Sequence, residues 1–481
     1  IFTCTPNAIT GILCLFSATL FSQITTFQKT YGTPDQESAT DIIETPDGYL
    51  IAGRTHRAAD NTPLALLIRI DKNGSVLWQK TYGGTEQVGF ESVAIANDGG
   101  FIAWGSIKKD DISLSDAWLV KVDDDGNLLW QKTLGAPASS EFPTGQIVVM
   151  PDGYILSGTN PQSFVIRVDN DGNTLWSRIT PNAGGSQTNV QYAADSLLYL
   201  AGGLNRHSIW STMDLASGAV NETFGFQTDS INWFYKMYRT PEGGHLMMGN
   251  AGEVIIDKAW VKNWVQKVDA NGQLIWSKKY SISDRNIVPF SAMLPDGSLV
   301  ISTNYYQTTS GGPLFAAMMK IDKDGAVVWA RSFRGLKTSE LNRVIRTADG
   351  GLMAVGYVGN DDLDILLIKT DSLGAVAGCC VTNLPVTVED ACLTTYKEPF
   401  SNTAFIDMAP FESDFAGEGD LEAGDFCFNQ PFIEVGQTIR FCDGQTVTIG
   451  GITYNQSGIV TDTLPAADNA CRTIARYTLE Q

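Results

Sequence analysis

Histidines, cysteines, carboxylate pairs and repeated tryptophans are the residues through which this chain could do chemistry. The three histidines, His56, His207 and His245, stand far apart. A catalytic triad or a zinc centre would need one of them beside a nucleophile or further ligands, and the spacing brings none together. The chain has no phosphate-cradling P-loop, no G-x-S-x-G and no C-x-x-C. Paired carboxylates for glycoside hydrolysis can come from separate segments and leave no trace in sequence, so a polysaccharide-acting hydrolase stays open. Aspartates recur in D-x-x-G turns such as VDDDGN at 122–127. A calcium loop needs more ligands, in D-x-[DN]-x-[DN]-G order and closed by a bidentate acid. These turns are shorter, and lysine or alanine intrudes in several, so they read as hairpins. The tryptophans suggest an aromatic platform for a sugar. A flat side chain recurring in register is better explained as a packing wedge between sheets. No catalytic, cofactor-binding or metal-ligating residue is assigned on these grounds, and no cofactor is expected.

The spacing of those tryptophans sets the architecture. An Asp is followed seven residues later by Trp at Asp71/Trp78, Asp123/Trp130, Asp169/Trp176, Asp269/Trp276 and Asp322/Trp329. Two weaker copies fill the gaps: Asp214 leads to Asn221, and Phe27 in TFQKTYG takes the place Trp78 holds in LWQKTYG. The anchors 27, 78, 130, 176, 221, 276 and 329 lie 51, 52, 46, 45, 55 and 53 residues apart. Between them recurs a second turn followed by an alternating strand, as in ETPDGYLIAG, IANDGGFIAWG and RTADGGLMAVG. In both turns an Asp side chain bonds nearby backbone and Gly supplies the positive φ. A cation stands two residues before each turn acid, at Arg69, Lys121, Arg167, Lys267, Lys320 and Lys369. Alternation puts it on a polar face, with apolar neighbours turned into packing.

Four short strands per unit at this period define a β-propeller, because one blade cannot bury both faces of its sheet until its neighbours cover it. Seven anchors predict seven blades, all-β, over residues 23–378. The strand at Phe27 is expected to close the ring by joining the last blade. Phe27, Trp78, Trp130, Trp176, Trp276 and Trp329 are the expected blade-packing anchors.

Charge and cysteines describe the surroundings. The net charge of −20 disfavours a nucleic-acid partner. Residues 8–22 are uncharged and mostly apolar or small, too short to span a bilayer comfortably. With Ile1 at the start, 1–22 read as a signal peptide that lacks its first residues, and the mature chain is expected to have no transmembrane segment. A buried core helix is the other reading. Between Gln23 and Gly378 there is no cysteine; Cys379, Cys380, Cys392, Cys427, Cys442 and Cys471 crowd into the last 103 residues. That distribution fits disulfides in an oxidising compartment. Residues 379–481 carry 15 acids and 4 bases, a net of −11, against 38 acids and 29 bases, a net of −9, before them. Residues 379–430 read as an acidic linker or subdomain, in which calcium capture is a minor alternative to a solvated loop, and 431–481 as a small β module.

The D-x-x-G-x-x-x-W and D-G-G-[FY]-[IL]-x-x-G units resemble propeller repeats of exported Bacteroidota proteins, and more distantly the Trp-docking repeats of pyrroloquinoline-quinone propellers. The quinoprotein likeness implies an enzyme with more blades, a calcium-bound quinone and a vicinal disulfide. Cys379-Cys380 is a vicinal pair, but it follows the propeller, and no acid constellation for the cofactor is visible. The last segment, with Cys442, Gly444, Gly450 to Tyr454, Thr461 to Leu464 and Cys471, resembles a small module repeated in Bacteroidota surface proteins. That resemblance implies a Cys442–Cys471 disulfide and further modules after Gln481. Asp-Ser/Thr followed by an apolar residue, as at Asp195-Ser196-Leu197, resembles the O-glycosylation sequon of such proteins. The expected function is a secreted or cell-surface, non-catalytic interaction or adhesion scaffold with a protein or glycan ligand at the propeller face. The alternative is a polysaccharide-acting hydrolase or quinoprotein-like enzyme that uses the channel.

Overall fold

The computed structural model describes residues 24–379 except 34, 58–59, 109–113, 136–138, 161, 180–187, 205–206, 228–230, 256–257, 284–285, 307–312, 334–337 and 360–362. Beyond them it describes 381–391, 394–397, 409–411, 422–425, 435–440, 447–449, 452–454, 456, 458–464 and 473–480. The expected signal segment 1–22 lies outside the described residues, as do Cys380, Cys392, Cys427, Cys442 and Cys471.

Seven antiparallel four-stranded sheets form the ring. Blade 1 runs Ser38–Thr45, Gly48–His56, Pro63–Asp71 and Val76–Tyr82. Blades 2 to 6 repeat this order, and in blade 3 the first strand is split into Phe142–Pro143 and Val148–Met150. Blade 7 takes Ser339–Arg346, Leu352–Gly359 and Leu363–Thr370 from the end of the repeats, and Phe27–Gly32 from the beginning. Phe27 pairs with Lys369 and Tyr31 with Ile365, so the N-terminal strand closes the ring as its sequence predicts.

The turns form for local reasons. Asp71 accepts hydrogen bonds from the amides of Asn73 and Ser75, both at 2.8 Å, and Gly74 takes a φ of 77°. Asp123, Asp169, Asp269, Asp322 and Asp371 accept equivalent pairs.

The hydrophobic core is divided among the interfaces between blades. One cluster joins blades 1 and 2 through Leu50, Phe90 and Trp118; another joins blades 7 and 1 through Val355, Leu367, Ile42 and Ile68. Five more join the remaining neighbours. Each buried large apolar side chain contributes about 1.5–3 kcal/mol, so a blade's stability resides chiefly in its neighbours.

The turn glycine of each blade lies against the aromatic of the blade before it. A methyl built on Gly126 would stand 2.8 Å from Trp78 Cζ3; on Gly172, 2.7 Å from Trp130 Cη2; on Gly218, 3.0 Å from Trp176 Cζ3. Gly325 faces Trp276 and Gly374 faces Trp329 in the same manner, and Gly74 of blade 1 faces Phe27. Blade 4 differs. Its sequence offers Asn221 at the anchor position, and the structure fills the slot with Trp210 and Phe224, stacked at 4.5 Å, beneath Gly272. Trp210 comes from the neighbouring strand, and Phe224 from the outer strand itself, three residues past Asn221. Tyr31, Tyr82 and Tyr280, four residues after their anchors, donate to the carbonyls of Gly74, Gly126 and Gly325 at 2.7–2.8 Å.

The strand cations are not on an open polar face. Lys121 is 1% exposed and Lys369 is fully buried. Their stems pass between sheets, and their heads pair with the acid of the other turn in the same blade. The pairs are Arg69–Asp47, Lys121–Asp98, Arg167–Asp152, Lys267–Glu242, Lys320–Asp296 and Lys369–Asp349. Alternation still holds, but the next blade covers the second face of the sheet, so the stems are buried as the apolar side chains are.

The segment read as a linker runs along the outside of the ring. Thr382–Asn383 pairs with the outer strand of blade 6, Thr387–Asp390 with blade 5 and Thr394–Lys397 with blade 4. Ala409–Phe411 then pairs with blade 2, and Glu422–Asp425 with Phe27–Gly32 of blade 7. This belt meets the blades in descending order and returns to the blade it left. Acids and lysines meet in register along it, at Lys278/Asp390, Lys279/Glu389 and Lys29/Asp425. Further on, Val435–Arg440 and Gly458–Leu464 flank Thr473–Glu480 in a three-stranded sheet, and Val447–Ile449 pairs with Ile452–Tyr454 in a hairpin.

Two outcomes are expected. Gly126→Ala meets both the left-handed φ of 76° and the Trp78 ring. It should cost about 2–4 kcal/mol in chemical denaturation, strain and overpacking together. Gly99→Ala, at a φ of 92° with nothing within 4 Å, isolates the backbone share. A chain ended at Gly378 loses the belt. It should melt at a lower temperature and self-associate with rising concentration, because the outer strands are then open edges; unchanged melting and a monomer at all concentrations would count against a supporting belt.

Candidate functional site

The first strand of every blade borders the axis, where a cavity of about 460 Å3 opens. Its wall is set by backbone irregularities. A β-bulge adds one residue to a strand and re-aims a side chain. The pairing shifts at Thr40 in blade 1, Glu91 in blade 2, Gln191 in blade 4, Tyr235 in blade 5 and Asn342 in blade 7. All five line the cavity. In blade 3 the break in the first strand delivers Thr144 and Gln146 instead. Opposite four of the bulges stands the last glycine of the second repeat motif: Gly53, Gly105, Gly249 and Gly356. A methyl on Gly105 would lie 2.0 Å from the Gly89 carbonyl oxygen, so the close strand approach beside the bulge requires glycine.

Contacts between neighbouring blades fix these side chains. Thr40 Oγ1 donates to the Phe90 carbonyl at 2.7 Å, and Asn342 Nδ2 to the Ala39 carbonyl at 2.8 Å. Gln191 Nε2 donates to the Tyr235 carbonyl at 3.4 Å and its Oε1 accepts from Met237 N at 3.2 Å. Asp41, with no exposed surface, accepts from Arg343 Nε at 2.7 Å, Ile42 N at 2.9 Å and Val93 N at 3.1 Å, which ties blade 7 to blades 1 and 2. Lys236 Nζ donates to Gln146 Oε1, reaching from blade 5 to blade 3 past blade 4.

Two groups on the wall are displaced from their ordinary protonation ranges. Burial pushes the Glu91 carboxyl up, against the pull of Arg54 2.7 Å away. Burial, reinforced by the charge of Arg343, lowers Lys236 to about 7, while Asp41 pulls it back up. Burial also raises Tyr238 to about 12, and its hydroxyl donates to the Ser291 carbonyl at 2.5 Å. Among the described residues that line the cavity, Glu91 is the single carboxylate, so the acid pair of a glycoside hydrolase is not assembled there. The described residues hold no group of three or more His, Cys, Asp or Glu able to bind a metal. No helix among the described residues is long and apolar enough to cross a membrane.

The structure places the sequence-derived anchors away from this cavity. Phe27, Trp78, Trp130, Trp176, Trp276 and Trp329 lie on outer strands, against the turn of the next blade. The histidines stay apart. His56 is half-buried, its Nδ1 3.0 Å from the Gln36 carbonyl, and His207 is half-buried at the start of a blade 4 strand. His245 is buried among Tyr192, Tyr199 and Trp210, its Nδ1 2.8 Å from the Tyr192 hydroxyl. Sequence reading missed the cavity residues because none of them repeats. One signal was present: Thr40, Glu91, Tyr235 and Asn342 each stand seven residues before the acid of the following turn, at Asp47, Asp98, Glu242 and Asp349.

Fold and channel together define a seven-bladed β-propeller with an axial cavity. The family model PQQ_2, described as outer membrane protein assembly factor BamB, matches residues 63–223, about a third of the chain. Among solved structures, the chain is similar to a protein of unknown function from Bacteroides caccae at 15% identity. That likeness covers 56% of this chain and 89% of the other, with a TM-score of 0.37. It is also similar to the propeller of Dos1 (9% identity, 71% and 95% covered, TM-score 0.44) and to the polysaccharide lyase Uly1 (10%, 69% and 90%, 0.40). No curated protein matches the chain.

His245 generates a pH prediction. Burial, aided by the charge of Arg239, lowers it to about 4 from 6.5. The fold holds it neutral, so its contribution is complete above pH 6.5 and is lost as pH falls towards 4. Between pH 7 and pH 5 the chain should lose about 2 kcal/mol that a His245→Phe variant does not lose, measured by denaturant titration at each pH.

Proposed function

We propose that this chain is a secreted or cell-surface, non-catalytic propeller. In this reading it is an interaction or adhesion scaffold that receives a protein or glycan ligand at its central channel and the surrounding face. The observation that carries the reading is a division of labour among residues. Those that repeat, the anchors and the turn aspartates and glycines, are occupied by contacts between blades. Those that do not repeat converge on the axis from all seven blades, as a ligand site lined with hydroxyls, amides and two cations requires. The net charge of −20 disfavours nucleic acid as that ligand. Export is supported by the apolar segment at 8–22 and by the confinement of the mature cysteines to the tail. A screen of the immobilised full chain against glycans and extracellular proteins tests this. A bound partner should be released at least about tenfold faster from Tyr235→Ala or Asn342→Ala, by analogy with the loss of a buried interface anchor. Partners that all bind these variants as tightly as the parent would overturn the reading of the channel as the ligand site.

One observation favours the enzyme reading. A carboxyl raised by burial and a lysine lowered to about 7 share one cavity, and such displaced groups gather at catalytic centres. If the chain cleaves a polysaccharide, new chain ends should accumulate with the parent and not with Glu91→Gln; turnover of that kind would replace the scaffold reading.

A further inference from the structure

The charges around the channel do not cancel one another. Four charged groups line the cavity or the wall behind it: Glu91, Arg343, Lys236 and, beneath them, Asp41. Glu91 is matched by Arg54, and Asp41 by Arg343 Nε and two amides. Lys236 has no carboxylate partner among the described residues. Its Nζ meets the neutral Gln146 Oε1 and stands 5.6 Å from the Tyr238 ring centre, which leaves two of its three donors unspent. Arg343 spends only Nε on Asp41, and its terminal nitrogens have no partner among the described residues. The two cations feel each other's charge, come from blades 5 and 7 and border the same 460 Å3. With Lys236 protonated, the cavity therefore carries a local excess of one positive charge, although the chain as a whole carries −20.

We propose that the channel seats the carboxylate of a small hydroxylated organic acid, an acidic sugar unit or a hydroxy acid, between Lys236 and Arg343. This deepens the ligand-binding reading above and rests on it. A guanidinium edge with two free donors matches a carboxylate's two oxygens, and a compact ammonium closes the pair from the side. A dianion fits less well, because Glu91 stands on the same wall. The rest of the lining suits the remainder of such a ligand. Thr40 and Ser291 bring hydroxyls and Gln146 an amide, while Phe290 offers an apolar surface to a carbon skeleton. The bound carboxylate supplies the counter-charge that Lys236 lacks, so binding draws a proton onto Lys236 wherever it is neutral beforehand. Of the groups that face it, Arg343, Asp41 and the Tyr238 ring, the one acid, Asp41, is already engaged by Arg343 and two amides.

The test is calorimetry on the full chain with D-glucuronate as probe, and D-glucose and acetate as controls. Glucuronate should bind at pH 6, more tightly than either control. Its affinity should fall about 30-fold by pH 8.5, following the protonated fraction of a group that titrates near 7. Buffers of different ionisation enthalpy should show proton uptake at pH 7.5. Lys236→Met should abolish binding without lowering the melting temperature, because it removes a poorly compensated, half-buried cation. Lys236→Arg should bind and lose the pH dependence. Undiminished binding by Lys236→Met, or no heat with glucuronate on the folded parent, would overturn the proposal. Glucose bound as tightly as glucuronate would also overturn it and yet leave the ligand-binding reading standing, whereas that broader reading falls only if Tyr235→Ala and Asn342→Ala leave every partner's binding unchanged.

Discussion

The structure depends on one contact made seven times: the glycine of a hairpin turn lying on an aromatic ring of the blade before it. Neither partner is useful alone. The ring is flat and large, and the turn reaches it only because glycine adds no side chain and accepts a positive φ. Once seated, the turn brings its whole blade down over the apolar face of its neighbour, and the seven interface clusters form on those faces. The flanking tyrosine and cation reinforce the contact. Tyr82 bonds the Gly126 carbonyl, while Arg178 and Lys278 stand over their own anchors at 5.5 and 5.7 Å. A ring has no end blade, so the contact must also be made between blade 7 and blade 1. Phe27 makes it, and the chain's first strand therefore belongs to its last blade.

That constraint explains what could be read from the amino acids. A contact repeated at fixed geometry imposes fixed residue types at a fixed interval, and the Asp-to-Trp interval of seven is its trace. The count of blades and the closing strand follow from it. Blade 4 shows where the trace fades. The slot there is filled by Trp210 and Phe224, aromatics at shifted positions, so the anchor is lost in sequence while the packing survives. The buried cations were legible as a pattern and misread as a surface, because alternation distinguishes two faces but does not tell whether another sheet covers the second one. The channel was less legible again. A bulge breaks the period of two that makes strands readable, and its residue is chosen by what it faces at the axis, which differs from blade to blade. Only the glycine opposite the bulge is constrained by the fold.

The belt is a second answer to the same geometry. A radial arrangement covers the faces of every sheet and leaves the outer strands as edges, where unpaired amides and carbonyls invite association. Strands of two to four residues from 382–425 pair with five of those edges. Such pairing is made by backbone, needs no hydrophobic alternation and so has no signature in sequence beyond charge. The charge is informative in retrospect. The tail's acids lie opposite Lys29, Lys278 and Lys279 of the outer strands, and Glu389 also reaches Lys262 at 2.6 Å. Each exposed pair is worth a few tenths of a kcal/mol. Their joint effect is to set the register of strands too short to find it by packing.

Rigidity at the rim makes irregularity at the axis possible. Because the anchors hold each blade from outside and the apolar residues of the innermost strand stay in the interface clusters, the side of that strand that faces the axis is free to depart from regular pairing. It tolerates a bulge, a split strand or a lysine without a carboxylate partner that would be costly elsewhere. Lys236 illustrates the trade. A cation set against a neutral amide lowers stability wherever it is buried, and the packing of seven interfaces leaves room to keep it. A residue that weakens the fold and repeats in no other blade is not explained by folding. Its position, in a cavity bordered by all seven blades, is where a ligand would be bound.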